Sequence, residues 1–340
     1  MTLRNLTAVL CLASALAACG GHDSPGGPSG NAPQLSCPAD ISVHGVSSAA
    51  QEVSFDPPVA TSGAPPVDTS CSPASGSSFP LGSSTVNCTA SDASSRTAMC
   101  SFTITLTGLS IGLTKYEAFG DSLTAGETGR EFLNAPLDID VQNSYPTKLQ
   151  ADFDAVYPGQ GVTVINEGHN GDSVEVTDSI IRDTVPVDRP DAVLILSGFN
   201  NLRSACGHGG EPLSSKCESA IDAVGHGIRD CIRHTKEASA GVQFIYVSTL
   251  TPPGATGSNR IDPNAILAAN EQIREEAAGG GAVLVDAYAA FVGHEAEYVN
   301  VDGLHLRPAG YQALADAFFA AIQASVPQTP LSRRTPIRYR

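Results

Sequence analysis

From about residue 112 onward, short apolar runs alternate with stretches of helical periodicity. The runs are rich in β-branched residues and lie at 115–119, 162–166, 192–197, 243–248 and 282–285. Helical stretches such as 216–236 and 264–276 separate them. Strands that alternate with helices predict a parallel sheet covered by helices on both faces. We therefore predict an α/β fold for this part of the chain.

In such a sheet the active site forms at the carboxyl ends of the strands, and Ser122 directly follows the first run. It lies in the sequence Phe-Gly-Asp-Ser-Leu-Thr at 119–124, where a strand gives way to a helix. Near the other end of the domain, Asp302 and His305 are spaced about one helical turn apart, which places a carboxylate and an imidazole on the same side of the backbone. Ser122, His305 and Asp302 supply a nucleophile, a general base and an orienting acid.

Acyl transfer through a serine also needs hydrogen-bond donors for the oxyanion that develops. Residues 166–171, Asn-Glu-Gly-His-Asn-Gly, form a glycine-rich turn after the second run, and residues 198–201, Gly-Phe-Asn-Asn, follow the third. We predict an oxyanion hole made of the backbone N–H groups of Ser122 and Gly171 and the side-chain amide of Asn200. A purely conformational need for glycine would also explain Gly171.

Residues 35–108 differ in composition from the α/β region, because they are rich in Ser, Thr, Pro and Gly. Phe102, Ile104 and Leu106 alternate with threonines, which is the pattern of a half-buried strand. The region also contains Cys37, Cys71, Cys88 and Cys100. Two disulfides would compensate for the thin core of so small a domain. We predict an all-β, immunoglobulin-like sandwich.

Three further cysteines, Cys206, Cys217 and Cys231, belong to the α/β region. Cys217 and Cys231 lie about four turns apart on one predicted helix, so they cannot pair with each other. We expect a bridge between Cys206 and Cys217 that leaves Cys231 as a buried thiol, and a bridge between Cys206 and Cys231 is the alternative. Disulfides indicate an oxidising compartment, and the lack of a Cys-x-x-Cys pair argues against structural zinc.

Residues 1–18 are typical of a secretory signal, with a charged end and an apolar stretch too short to remain as a membrane span. The sequence Leu-Ala-Ala-Cys at 16–19 resembles a bacterial lipobox with Cys19 as the lipidated residue, and cleavage after Ala17 is the alternative. Residues 19–34 are rich in Gly, Pro and Ser and predict a flexible tether. No aspartate follows Cys19, so we expect a location at the bacterial outer membrane, the cell surface or the periplasm.

The charge of the chain bears on its partners. A formal net charge of -16 argues against nucleic acid, since phosphate neutralisation needs clustered Lys and Arg. The basic residues that do cluster lie in 328–340, which we interpret as a solvated tail.

The four catalytic motifs resemble those of the SGNH or GDSL hydrolase family and occur in the same order. They are Gly-Asp-Ser-Leu with Ser122, Asn-x-Gly-x-x-Gly ending at Gly171, Gly-x-Asn with Asn200, and Asp-x-x-His with Asp302 and His305. The resemblance covers about residues 116–320. It implies a flavodoxin-like three-layer α/β/α sandwich and hydrolysis of carboxylic esters without a metal or cofactor. The third motif usually ends in Asp, whereas Asn201 stands here, which puts a supporting hydrogen bond in question.

Residues 35–108 resemble the hyalin repeat (HYR) family. The resemblance rests on Cys-Pro-Ala-Asp-Ile at 37–41, on Phe-Pro-Leu-Gly at 79–82 leading to Val-Asn-Cys-Thr-Ala at 86–90, and on Asp-Ala-Ser at 92–94. Such modules resemble adhesion or spacer domains, and we interpret this one as a spacer.

We therefore predict a HYR-like β-sandwich at 35–108 and a hydrolase domain at 112–327, with insertions at 127–142 and 203–215 that wall the cleft. The predicted function is that of a secreted or surface-anchored serine esterase or lipase acting on a small-molecule, lipid or glycan ester. An acetyl esterase for acetylated polysaccharide is the first alternative. A catalytically dead adhesion or glycan-binding protein is the second. The predicted non-substrate partner is the membrane, through a lipid anchor at Cys19.

Overall fold

The computed structural model describes residues 31–46, 50–129, 139–207 and 213–330. The predicted signal segment, the lipidation site at Cys19 and most of the basic tail lie outside the described residues. The chain divides into two compact units, one made of residues 1–39, 54–75 and 85–102 and the other of residues 40–53, 76–84 and 103–340. The domain boundary near residue 110 stays a prediction.

The described part of the N-terminal region is built from strands. They are β1 (Leu35–Ser36), β2 (Ile41–Val46), β3 (Ala50–Val53), β4 (Val59–Ala60), β5 (Val67–Ser72), β6 (Ser77–Pro80), β7 (Gly82–Asp92) and β8 (Thr97–Ile111). Strands β5 and β7 pair antiparallel with Cys71 opposite Cys88, and these two residues form a disulfide. A second disulfide joins Cys37 to Cys100. The all-β character and the two predicted disulfides are confirmed.

From residue 112 onward, strands and helices alternate as the sequence predicts. The first elements are β9 (Lys115–Gly120), α1 (Ser122–Ala125), a 3-10 turn (Val141–Asn143), α2 (Tyr145–Val156), β10 (Thr163–Gly168), α3 (Val174–Asp188), β11 (Ala192–Leu196) and α4 (Phe199–Ala205). The later elements are α5 (Ser215–Ala238), β12 (Phe244–Ser248), α6 (Pro263–Gly279), β13 (Val283–Val285), α7 (Ala287–Phe291), α8 (Glu295–Tyr298), α9 (Pro308–Ser325) and β14 (Gln328–Pro330). Among the described helices, none combines the length and the apolar character that a membrane crossing requires.

Five parallel strands form the central sheet in the order β10-β9-β11-β12-β13. This is the doubly wound order in which the connections run to both sides of the first strand. Every residue of β11 is buried, as expected for a strand covered on both faces. Helices α2 and α9 pack against each other, and α3, α5 and α6 form a second packed row. The α/β prediction and the three-layer flavodoxin-like arrangement are confirmed.

Several helices begin at residues whose side chains bond the free backbone N–H groups of the first turn. Asp262 accepts from the N–H of Asn264 at 2.8 Å just before α6. Proline follows each of the caps of α2, α6 and α9 within the first two helical positions. Proline is favoured there because its missing N–H would have no partner in the helix. The chain therefore encodes the starts of these helices locally.

The third disulfide joins Cys206, which follows α4, to Cys217 in the first turn of α5. The favoured pairing is confirmed and the alternative with Cys231 is wrong. Cys231 is a buried free thiol in α5, and burial raises its pKa well above the ordinary value. The three cysteines of the α/β region are therefore arranged as the sequence predicts.

The last described residues depart from the prediction of a tail that begins at residue 328. Gln328–Pro330 form β14, which pairs antiparallel with the end of β8, so that Gln328 lies opposite Ile111. The pairing places the start and the end of the hydrolase region side by side. A short polar segment with no apolar alternation does not reveal such a strand in advance.

Candidate active site

Ser122 lies at the junction of β9 and α1, as the motif predicts. Asp121 caps α1, because its Oδ1 accepts a hydrogen bond from the N–H of Leu123 at 3.1 Å. Gly120 is required by close approach: a Cβ at this position would lie 2.0 Å from the carbonyl oxygen of Leu196 on β11. The chain can therefore turn sharply after β9 and present the hydroxyl of Ser122 at the carboxyl end of that strand.

Asp302 and His305 lie in a tight turn, not in the helix-like spacing considered from the sequence. The Oδ1 atom of Asp302 accepts the backbone N–H groups of Leu304 at 3.1 Å and His305 at 3.0 Å. Its Oδ2 atom accepts from Nδ2 of Asn259 at 3.0 Å. Gly257 permits the turn to pack closely, because a Cβ there would lie 2.1 Å from the Asp302 carbonyl group. The carboxylate is thus fixed before it meets the imidazole.

The three predicted residues come together although Ser122 and His305 are 183 positions apart. Nε2 of His305 lies 3.0 Å from Oγ of Ser122. Nδ1 of His305 lies 2.5 Å from Oδ2 of Asp302. All three side chains are buried. The distances match those required of a nucleophile, its base and the residue that orients the base.

Burial alone would raise the pKa of Asp302, but its hydrogen bonds with His305 and Asn259 lower that pKa to about 2. Burial alone would lower the pKa of His305, but Asp302 and Glu127 raise it to about 9. The acid is therefore ionised at any physiological pH, whereas the imidazole holds a proton near neutrality. Asp302 and Glu127 thus stabilise the imidazolium form of His305, which is the form that the base takes when it accepts a proton.

Glu127 is a fourth residue of the site and adds a second carboxylate to it, although the sequence places it only at the start of an insertion. Its Oε2 lies 3.2 Å from Nε2 of His305, the same nitrogen that faces Ser122. Its backbone is fixed as well, since its N–H donates to the Ser122 carbonyl at 2.9 Å and its carbonyl accepts from the Tyr311 hydroxyl at 2.5 Å. The signal in the sequence was slight: an acidic residue one turn beyond the Gly-Asp-Ser-Leu motif.

The predicted oxyanion donors lie on three neighbouring strand ends. The N–H of Ser122 is in the first turn of α1, where backbone donors lack intrahelical partners. Gly171 has a φ of 86°, in the left-handed region that favours glycine. The Asn200 amide donates one hydrogen to the carbonyl of Asp172 at 3.0 Å. An amide nitrogen carries two hydrogens, so this bond anchors Asn200 beside the Gly171 loop while one donor remains.

Asn201 shows what replaces the aspartate that usually ends the third motif. Its Oδ1 accepts the N–H of Val174 at 3.0 Å, at the start of α3. Its Nδ2 donates to the carboxylate of Glu175 at 3.0 and 3.2 Å. The asparagine therefore keeps the acceptor at the helix start and gains a link to Glu175 that an aspartate could not make.

Comparison with known proteins agrees with this geometry. Residues 118–313, more than half of the chain, match the GDSL-like lipase/acylhydrolase family. The chain belongs to that family. It is accordingly an ester hydrolase. The N-terminal region, residues 30–106, matches the HYR domain. A comparison with curated proteins gave no match.

Three solved structures of hydrolases were found to be similar to this chain. The lipase/acylhydrolase from Enterococcus faecalis is 21% identical, with a TM-score of 0.50 over 65% of this chain and 100% of that protein. An alpha/beta hydrolase enzyme from the metagenome of Lake Arreo, Spain, is 20% identical, with a TM-score of 0.49 over 63% of this chain and 96% of that one. An acetylxylan esterase from Geobacillus stearothermophilus is 22% identical, with a TM-score of 0.47 over 62% and 95%. The first of these neighbours shows the flavodoxin-like fold.

Proposed function

We propose that this GDSL-family chain is an exported serine esterase that cleaves carboxylic esters through Ser122, His305 and Asp302. The observation that carries the proposal is the unbroken set of contacts from Oγ of Ser122 to Nε2 of His305 at 3.0 Å and from Nδ1 to Asp302 at 2.5 Å. A buried serine held this close to an oriented imidazole is the arrangement that activates a hydroxyl.

In the first half-reaction, Oγ of Ser122 attacks the acyl carbon while Nε2 of neutral His305 takes its proton. The carbonyl oxygen becomes an oxyanion, and the N–H groups of Ser122, Gly171 and Asn200 donate to it. Imidazolium forms between Asp302 and Glu127, two carboxylates that favour its charge. The intermediate collapses as His305 gives the proton to the departing alcohol, which leaves an acyl-serine.

In the second half-reaction, water enters where the alcohol left. Nε2 of His305 takes a proton from the water as its oxygen attacks the acyl carbon, and the same donors hold the second oxyanion. Collapse returns the proton to Oγ of Ser122 and releases the acid. The protein is restored to its starting state, and every proton is accounted for by groups of the site.

The decisive experiment combines turnover with covalent labelling. Ser122→Ala is expected to abolish hydrolysis of p-nitrophenyl acetate while the circular dichroism spectrum stays unchanged. A fluorophosphonate probe is expected to label Ser122 in the natural protein and not in the variant. Ser83→Ala, in the N-terminal region, is the matched control. Retained turnover in Ser122→Ala would refute the nucleophile, and failure of the natural protein to be labelled would favour the dead-scaffold alternative.

The acyl group and the alcohol are tested separately from the chemistry. We expect p-nitrophenyl acetate and butyrate to be cleaved faster than long-chain esters, because neither insertion offers the extended apolar lid of a triglyceride lipase in its sequence. Acetylated xylan and acetylated oligosaccharides form the parallel series. Release of acetate from these sugars at rates well above those with simple acetates would identify the acetyl-esterase alternative.

Export and lipid anchoring form a separate part of the proposal. The three disulfides in the described part of the chain support folding in an oxidising compartment. Metabolic labelling with a palmitate analogue is expected to mark the natural protein, and Cys19→Ala is expected to lose the label. A chain that is exported without a label in both forms would favour ordinary cleavage after Ala17.

A further inference from the structure

Glu117 is an unusual residue in the middle of β9, one of the inner strands of the parallel sheet. Its side chain is completely buried, and neither of its carboxylate oxygens has a hydrogen-bond partner. An unpaired carboxylate in a protein interior is costly, so such a group is either protonated or faces a positive charge. Glu117 takes no part in the proposed reaction and therefore needs another explanation.

Two further carboxylates converge on Glu117. In the sheet register Glu117 lies opposite Ile165 on β10, which puts it on the same face as Glu167, two residues further along that strand. Asp188 is the last residue of α3. One oxygen from each of Glu117, Glu167 and Asp188 lies within 4.8 Å of the other two. We call these three residues the acidic cluster.

The nearby positive charge does not neutralise the acidic cluster. Lys115, at the start of β9, has its Nζ 3.8 Å from Oδ1 of Asp188 and donates to the backbone carbonyl of the same residue. One lysine thus faces three carboxylates, and its hydrogen bond goes to the backbone carbonyl of Asp188. Burial raises the pKa of Glu117 to about 8, and the charges of Asp188 and Glu167 contribute to the rise, as does the Asp188 carboxylate as an acceptor to which only the protonated form of Glu117 could donate.

We propose that the acidic cluster binds one divalent cation of the hard, oxygen-preferring class, with calcium favoured. The fully buried, unpartnered carboxylate of Glu117 points into the cluster and is the observation that distinguishes it from an ordinary acidic surface. Calcium–oxygen bonds of about 2.4 Å allow ligand oxygens to lie up to roughly 4.8 Å apart, whereas magnesium at about 2.1 Å would require the cluster to contract.

An ion can reach the acidic cluster from solvent. The side chain of Asp188 is 38% exposed and that of Glu167 is partly exposed, so the cluster opens to solvent at its rim. Water would complete the coordination there, as is usual for calcium. A bound cation would join β9 and β10, the strands that precede Ser122 and Gly171, to the end of α3. Its role would be to stabilise the fold under the active site and not to take part in ester cleavage.

The test uses the full-length purified protein after treatment with a chelator. Titration with calcium chloride in a calorimeter is expected to show one saturable ion per chain, and Glu117→Gln is expected to lose it. Asp183→Asn, an exposed aspartate on α3, is the matched control and should bind as the natural protein does. At one hundred times the dissociation constant, calcium should raise the Tm by about 5–10 °C in the natural protein and in Asp183→Asn, and not in Glu117→Gln.

Glu167→Gln and Asp188→Asn test the same site at partly exposed positions, so the experiment does not depend on the folding of Glu117→Gln. Both are expected to weaken calcium binding at least tenfold while hydrolysis of p-nitrophenyl acetate at 25 °C stays within twofold. Equal binding in all three variants would place the ion elsewhere and overturn the proposal. No saturable binding up to about 10 mM calcium or magnesium, well above the affinities of extracellular modules, would also overturn it and leave a protonated Glu117 as the explanation.

Discussion

Glu127→Gln tests the electrostatics of the site most directly. The carboxylate of Glu127 lies 3.2 Å from Nε2 of His305, and together with Asp302 it raises the pKa of that imidazole to about 9. An opposite charge at this distance contributes about 1–3 pKa units. The amide of Gln keeps the size and removes the charge, so the pKa of His305 should fall by that amount.

The effect of Glu127→Gln on kcat/KM depends on pH, and its direction follows from the protonation state of His305. The reaction needs neutral imidazole, so kcat/KM should rise with pH as His305 loses its proton. At pH 7 a group with a pKa of about 9 is neutral in about 1% of molecules. The protonated ground state and the transition state both contain imidazolium there, so loss of Glu127 destabilises both and changes the rate little. Above both pKa values only the transition state is affected.

The expected result is therefore an acid limb that moves down by 1–3 pH units and an alkaline plateau that falls by about tenfold for each unit of that shift. The assay is kcat/KM for p-nitrophenyl acetate from pH 5 to 10.5, corrected for spontaneous hydrolysis, with an NMR titration of His305 beside it. Glu275→Gln, on the exposed side of α6, is the matched control. An acid limb that stays in place in Glu127→Gln would show that the reasoning about His305 is wrong.

Three further variants are expected to separate the parts of the site, and a fourth tests the disulfide beside it. Asp302→Asn should lower kcat about 10⁴-fold at constant fold, because the neutral amide no longer orients and stabilises imidazolium; active-site labelling supplies the concentration of competent sites. Asn200→Ala should cost about 10²–10³ in kcat with little change in KM, whereas Asn201→Ala should cost much less, and equal losses would reassign the donor. Replacing Cys206 and Cys217 with Ser should lower the free energy of unfolding by about 3 kcal/mol, measured by urea titration.

The fold and the convergence of Ser122, Asp302 and His305 could be predicted because local sequence patterns determine both. Ser122 follows an apolar run that ends in Gly-Asp, and such a run can only be a short buried strand here. The side chains of Asp302 and His305 meet because a spacing of three residues brings them together in a turn as well as in a helix. The order of the motifs then restricts the topology to one in which their strand ends are neighbours.

Other features depended on contacts that no local pattern encodes. Glu127 lies five positions after Ser122 in an irregular segment, and only the position of the His305 turn makes it part of the site. Glu117 occupies an alternating strand where a charged residue suggests an exposed face, yet α3 covers it. Strand β14 pairs with β8, more than two hundred positions earlier in the chain, and a polar segment of three residues does not predict such a pairing.

The pairing of β14 with β8 has a practical consequence. The polypeptide enters the catalytic body and leaves it at adjacent points, near the amino end of β9. Ser122 lies at the opposite end of that strand, six residues and roughly 20 Å away. A reporter or surface attachment fused after Pro330 would therefore lie far from Ser122. Such fusions should leave access to Ser122 unobstructed, so the position after Pro330 suits immobilisation of the enzyme.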